Sequence, residues 1–522
     1  MDSFTRRSLL AAGSSAGLAL CLPHWLREAA AQQMASPLVH TRYSATSNQG
    51  KAMLAKYATA VDRMMTQAPK GDPRSWDFQW YTHWIPGPQF PWSQVAAKKT
   101  STIQQFYQGK PPNDPHRKLA EAMWDDCQAH GSNPSDPSFF EEMFFLPWHR
   151  YFVYYFEQII RAVLNDPNFT LPYWDYLSGN VSDLSIPPEF RNTQSPLYRS
   201  NRNPWVNAGD RIDKNNPGGL NLNAFKETSY IKPIPNGSVG FCPILDGNPH
   251  GAVHVFVGNS TGMAQIPTAA GDPVFWLHHC NIDRLWESWN RLSHSNPPWP
   301  SRTFPFANGA GGAVTAPVGG ADRVALLHYR YENYYVPPGV AEPLVAAAPL
   351  APAALTEAAA LQAPLETKAI VPGPVTLGAA PVRASLTLPS APLFAAAPQA
   401  VAPLALAPPV DRNYYLVLGS ITLQGDPGAA TYNVYFDLPE GAAAPSTEDP
   451  NYVGTLNFFG VSADHNHDEG GGHGATFNVT EAVKNLQASG KLSANPSVTL
   501  VPRGEGLDQA KPTVGEMSLV EA

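Results

Sequence analysis

The hydrophobic pattern along the chain divides it into two unlike parts. Residues 145–161, FLPWHRYFVYYFEQIIR, carry the helical period of apolar positions, with Phe152, Val153 and Phe156 on one face and His149 near the start. Residues 272–286, DPVFWLHHCNIDRLW, have the length and composition of a buried helix but hold two adjacent histidines. This texture, rich in Trp, Tyr and Phe, runs from about Ser36 to Pro338 and predicts a mainly α domain. From 339 to 410 the composition collapses to Ala, Pro, Leu and Val with no period of two or 3.6, as expected of a linker. Beyond it, YYLVLGSITLQG, TYNVYFDLPEG, VGTLNFFGVSA and SVTLVP alternate short β-branched or aromatic runs with Gly, Pro and Asp. They predict a small antiparallel β domain over 411–503, followed by a tail over 504–522.

The remaining composition narrows the functional classes. A chain of 522 residues is long enough for two or three domains, and a net charge of −8 without a basic run argues against a nucleic-acid partner. Thr5-Arg6-Arg7-Ser8-Leu9-Leu10 precedes an apolar stretch to Leu22, and Ala29-Ala30-Ala31 offers a small-residue cleavage site. Residues 1–31 therefore read as a twin-arginine export signal, giving a mature domain over 32–338 and a periplasmic or secreted location. The apolar run is too short to serve as a membrane anchor. Of four cysteines, Cys21 leaves with the signal, and Cys127, Cys242 and Cys280 show no CxxC spacing. Neither a disulfide framework nor a zinc ribbon is indicated.

The chemistry concentrates in histidines. His250 and His254, in NPHGAVHVFVGN, are four residues apart and share a helix face, the spacing that gives two imidazoles to one metal. His278 and His279 lie about 100° apart on a helix, so by default only one of them is a ligand. Three imidazoles from two helices in aromatic surroundings suggest copper. His83, in SWDFQWYTHWIP, His130, in WDDCQAHGSNP, and His149 sit in similar surroundings and offer a second trio. A single helical histidine is more often a hydrogen-bonded core residue; the company these keep argues otherwise.

DPVFWLHHCNIDRLW, FLPWHRYFVYYFE and PHGAVH together resemble the type-3 dicopper family of tyrosinases, catechol oxidases and haemocyanins. Weaker similarity extends through GDPRSW, DPNFTLPYWDY and Tyr329-Arg330-Tyr331, so the resemblance covers about residues 50–335. It implies a helical bundle holding two copper ions that bind O2 between them as peroxide. It makes His83, His130 and His149 ligands of the first copper and His250, His254 and His279 ligands of the second. His279 is selected over His278 because the family's ligand lies seven positions after the Asp of Asp-Pro, here Asp272, and four before a later Asp, here Asp283. His278 becomes a pocket-wall neighbour, and Asp283 either orients His279 or partners Arg150 or Arg284. One departure stands out. His130 and His149 are nineteen residues apart, more than the family's spacing, which leaves His116, in NDPHRKL, as the rival second ligand. Cys127, near His130, is either a thioether partner of that histidine or a small buried thiol.

The resemblance further implies oxidation of o-diphenols to o-quinones with O2, with an oxygen carrier of haemocyanin type as the alternative. Where the family has a Glu and an Asn that hold a basic water, this chain has Asp246 and Gly251, which implies weaker monophenol hydroxylation. The β domain faintly resembles the domain following the catalytic unit in plant polyphenol oxidases. It is therefore expected to shield the copper cavity, with Phe458 or Phe459 as the plug. The loop DHNHDEGGGH, 464–473, reads as a solvated or adventitious metal-binding tract.

Overall fold

The structure, a computed structural model, describes residues 39–83, 105–125, 141–234, 237–341, 366–387, 412–442, 445–461 and 474–521. Residues 1–31, read as an export signal, Cys127, His130 and the loop at 464–473 lie outside these residues. Among the described residues, no helix is long and apolar enough to cross a membrane.

Helix α1, Asn48–Thr66, starts where the Ser47 side chain accepts from the Gly50 amide at 3.0 Å, and buries Leu54, Tyr57, Val61 and Met64 at spacings of three and four. The short α2, Trp76–Tyr81, is capped by Ser75 in the same way and ends just before His83. Helix α3, Pro115–Asp125, carries His116 as its second residue. Helix α4, Phe145–Leu164, buries His149, Phe152, Val153, Phe156, Ile159 and Ile160 and stops at Asn165, whose left-handed backbone (φ 54°) suits an asparagine C-cap. The six-residue α5, Ala252–Val257, continues a widened turn over Asp246–Gly251. Helix α6, Val274–Arg291, is buried on all sides from Val274 to Asn290, its polar residues included.

Behind α4 and α6 lies a buried charge network. Asp283 accepts from Arg150 and from Arg42 (3.2 Å), and from the Tyr329 and Tyr331 hydroxyls at 2.5 Å each. Arg42 also reaches Glu157 at 2.9 Å. Burial alone would raise the Asp283 pKa, but Arg150 and Arg42 outweigh it and hold the carboxyl below its ordinary value. Of the two roles expected for Asp283, these contacts support the partner of Arg150. The network joins α4 and α6 to a parallel pair of strands, His40–Arg42 with Tyr329–Tyr331.

The second domain is wholly antiparallel and larger than its sequence suggests. One sheet runs in the order Ala475–Asn478, Tyr414–Thr422, Thr513–Glu521, Glu366–Ile370, with Val375–Thr376 also on Thr513–Glu521. The other runs Tyr452–Leu456, Thr431–Phe436, Ser497–Arg503, Val382–Ser385. Both feed one core that includes Leu416, Leu418, Val434, Phe436, Leu500 and Leu519. Two boundaries are thereby corrected. Residues 366–385, read as linker, supply three strands, and residues 513–521, read as tail, form a nine-residue strand.

Alternation along Tyr414–Thr422 positions this domain against the first. Leu416 and Leu418 face its own core, whereas Tyr415 and Val417 join the core of the helical domain. Burial on both faces accounts for the nearly unbroken apolar run. Hydrogen bonds fix the docking: Tyr415 donates to Glu227 at 2.8 Å, Asn478 to Glu227 at 2.6 Å and Asn216 to Asn433 at 2.8 Å. Burial raises the Glu227 pKa despite those two donors.

Candidate metal centre

Five of the six histidines expected to hold metal converge where α2, α4, α5 and α6 meet. All five are buried: His83, His149, His250, His254 and His279. The Nε2 atoms of His149 and His83 are 3.4 Å apart. Those of His254 and His250 are 3.1 Å apart, and His254 to His279 is 3.4 Å. The His149 and His279 rings stack at 4.3 Å, so the two groups adjoin. His116 lies in the first turn of α3, where its carbonyl accepts from the Tyr107 hydroxyl at 3.2 Å. Among the described residues it joins no cluster of three ligand-type side chains.

Tautomers follow from the other ring nitrogens. The Nδ1 of His149 lies 2.8 Å from the Phe145 carbonyl, that of His254 2.8 Å from the Met263 carbonyl, and that of His250 2.7 Å from the Asp246 carboxylate. A neutral imidazole facing an acceptor carries its proton there, so each Nε2 presents a lone pair inward. Burial, then the neighbouring imidazoles, push the pKa of His254 and His279 well below the ordinary histidine value and keep both neutral. Lone pairs opposed at 3.1 Å repel unless a cation lies between them. Nitrogens bound tetrahedrally to a metal at the usual imidazole bond length stand about 3.3 Å apart, so the observed spacings fit one. An all-imidazole donor set suits copper.

His278 also lies in this cluster; ligand atoms of His250, His254, His278 and His279 all fall within 4.8 Å of one another. Its chemistry differs. Burial raises the pKa of Tyr176, so that hydroxyl stays protonated and is able to donate to His278 Nδ1, 3.0 Å away. With that hydroxyl as donor, the proton of His278 is on Nε2 and no lone pair remains for a metal.

Two further side chains come from the β domain. The ring of Phe459 stacks on that of His254 at 4.0 Å and 12°, and stands edge-on to His250 at 5.4 Å. Phe458 turns the other way, into the β-domain core beside Tyr432. Asn457 donates to the Gly247 carbonyl at 2.8 Å. Asn457 had no signal in the sequence, because only the docking brings it to residue 247. The pairing of Asp246 with His250 was signalled by their separation of four.

Asp246, shorter than the family's Glu, was expected to hold a water less firmly. Its Oδ1 instead bonds His250 Nδ1, the carboxylate–imidazole arrangement that orients a ligand and raises its basicity. Asp246→Ala should therefore weaken copper binding at the second site about 10–100-fold, with Asp246→Asn intermediate. Copper titration against a competing chelator would reveal it; unchanged affinity in both variants would refute the role.

The family model described as the common central domain of tyrosinase matches residues 73–219 and 192–292. A domain of unknown function, DUF7868, matches 365–522. Tyrosinase HcTyr1 of Hahella sp. (strain CCB-MM4) is 31% identical over 310 residues, 53% of this chain and 60% of that protein. Polyphenol oxidase II of Ipomoea batatas is 27% identical over 326 residues, 55% of this chain and 48% of that protein. The chain thus spans between about half and three-fifths of these relatives' length. In fold, the solved structure of latent apple tyrosinase is similar over 94% of this chain and 98% of its own, with a TM-score of 0.59 and 20% identity. The fold is similar to that of this latent enzyme. Residues 73–292 are thus similar to the central domain of tyrosinase, and the helical domain resembles tyrosinases and polyphenol oxidases.

Proposed function

We propose that this protein is a copper-dependent oxidase that converts o-diphenols to o-quinones with O2, kept latent by its own β domain. The carrying observation is the convergence of five buried imidazoles through Nε2 atoms 3.1–3.4 Å apart. His83 and His149 would hold one copper, with His130 as third ligand; His250, His254 and His279 would hold the other. Bound copper supplies O2 binding and accepts the electrons that leave the phenolic ring. Two diphenols and one O2 then yield two quinones and two waters.

The protein's own groups do the rest. The carbonyls of Phe145 and Met263 and the Asp246 carboxylate hold the Nδ1 protons outward. Phe145, 4.8 Å from the His149 ring and 4.6 Å from that of His250, and Phe275, 4.0 Å from His279, exclude water and offer flat apolar walls. Phe459 lies face to face with His254, where a substrate ring would stack, and this supports a shielding role for residues 366–521. Asp246 is engaged by His250 and Gly251 has no side chain, so a water that could deprotonate a monophenol is poorly held; diphenols are favoured. Residues 1–31 would direct export by the twin-arginine route.

Turnover of catechol and of phenol by the copper-loaded, proteolytically opened chain tests this reading. Catechol should be oxidised clearly faster. Protein that binds O2 reversibly but oxidises neither would instead be a carrier.

A further inference from the structure

The turn that carries His250 has two glycines, and they differ sharply. An added Cβ at Gly247 would meet nothing within 4 Å. At Gly251 it would come within 2.9 Å of Asn457 Oδ1, 3.4 Å of Asn457 Nδ2 and 3.3 Å of the Asp246 carbonyl. The Gly251 backbone is itself helical (φ −61°, ψ −35°), so the chain there does not require glycine. What the missing side chain provides is room for Asn457.

Asn457 is also what positions the plug. Its Nδ2 donates to the Gly247 carbonyl at 2.8 Å, and its Oδ1 accepts from the Phe459 amide at 3.1 Å. One amide therefore ties the wall of the copper site on one side and fixes the backbone of Phe459 on the other. A displacement of Asn457 carries Phe459 off His254.

Resting on the proposed shielding role, we infer that Gly251 is the socket of the β domain, and that the side chain at position 251 governs closure as well as substrate choice. The two properties are opposed at one position. A residue large enough to help hold a water beside His250 would collide with Asn457 and open the shield, so a closed enzyme of this design keeps residue 251 bare. Gly251→Asn should then raise activity on diphenols and monophenols alike in the full chain, through opening, before any change in the ratio.

A double-mutant cycle in the copper-loaded full-length chain tests this, with hydrogen exchange over residues 452–461 as a second readout. Gly251→Ala should raise catechol turnover about fivefold and increase exchange at 457–460, with copper content unchanged. Asn457→Gly should do the same, and Gly251→Ala should add nothing in the Asn457→Gly background, because both act through one contact. Phe459→Ala separates the two levels of the argument. If Phe459→Ala activates but Gly251→Ala changes neither turnover nor exchange, the socket is refuted and the shield stands. Equal activation by Gly251→Ala with and without Asn457 also refutes the socket. If neither Phe459→Ala nor Gly251→Ala activates, both ideas fall.

Discussion

Replacing His279 by alanine should remove copper from the second site and lower catechol oxidation on the order of a thousandfold or more, whereas His278→Ala should leave both largely intact. The two residues are adjacent and equally buried, so burial does not distinguish them. The difference lies in what each ring nitrogen faces. His279 directs Nε2 at His254 Nε2, 3.4 Å away, while His278 Nδ1 faces the Tyr176 hydroxyl at 3.0 Å, a donor able to take its lone pair. Metal analysis of both purified variants checks the claim before any rate is measured. An inactive, copper-poor His278→Ala beside a copper-replete His279→Ala would reverse the assignment. Tyr176→Phe sharpens the test: it frees His278 Nδ1 and should not raise copper above the wild-type content.

Cleavage within 342–365, followed by separation of the fragments, should raise turnover roughly tenfold or more, most for bulky phenols. Before cleavage the β domain is held at high effective concentration by its covalent link; afterwards only the interface retains it. That interface is rich in directed hydrogen bonds from Tyr415, Asn478, Asn216 and Asn457. Phe459→Ala should reproduce part of the gain in the intact chain, since it opens the face of His254 without moving the domain. Separated helical domain that stays folded and copper-loaded but is no more active would assign residues 366–521 another role.

Much of this arrangement was legible in the chain. The i, i+4 spacing of His250 and His254, and the register of His279 between Asp272 and Asp283, marked residues that do converge in space. The alternation in YYLVLGSIT marked a strand, although not that both its faces are covered. Legibility failed where the determining partner is distant in sequence. Glu366–Ile370 lies in an Ala/Pro-rich region and becomes a strand by pairing with Thr513–Glu521, about 150 residues later. Val382–Ser385 likewise depends on Ser497–Arg503. Asp283 offered two roles from sequence because Arg42, Tyr329 and Tyr331, which surround it with Arg150, come from both ends of the helical domain. The choice between Phe458 and Phe459 was a matter of strand-end direction. Only the docked structure separates the core-facing ring from the one on His254.

The most direct measurement is a copper titration of metal-free, proteolytically opened protein, with catechol oxidation followed at each addition. Two imidazole-lined positions acting together predict that oxidation climbs with added copper and levels off at two equivalents per chain, with none in the metal-free protein. A plateau at one equivalent, or oxidation that persists without copper, would contradict the account.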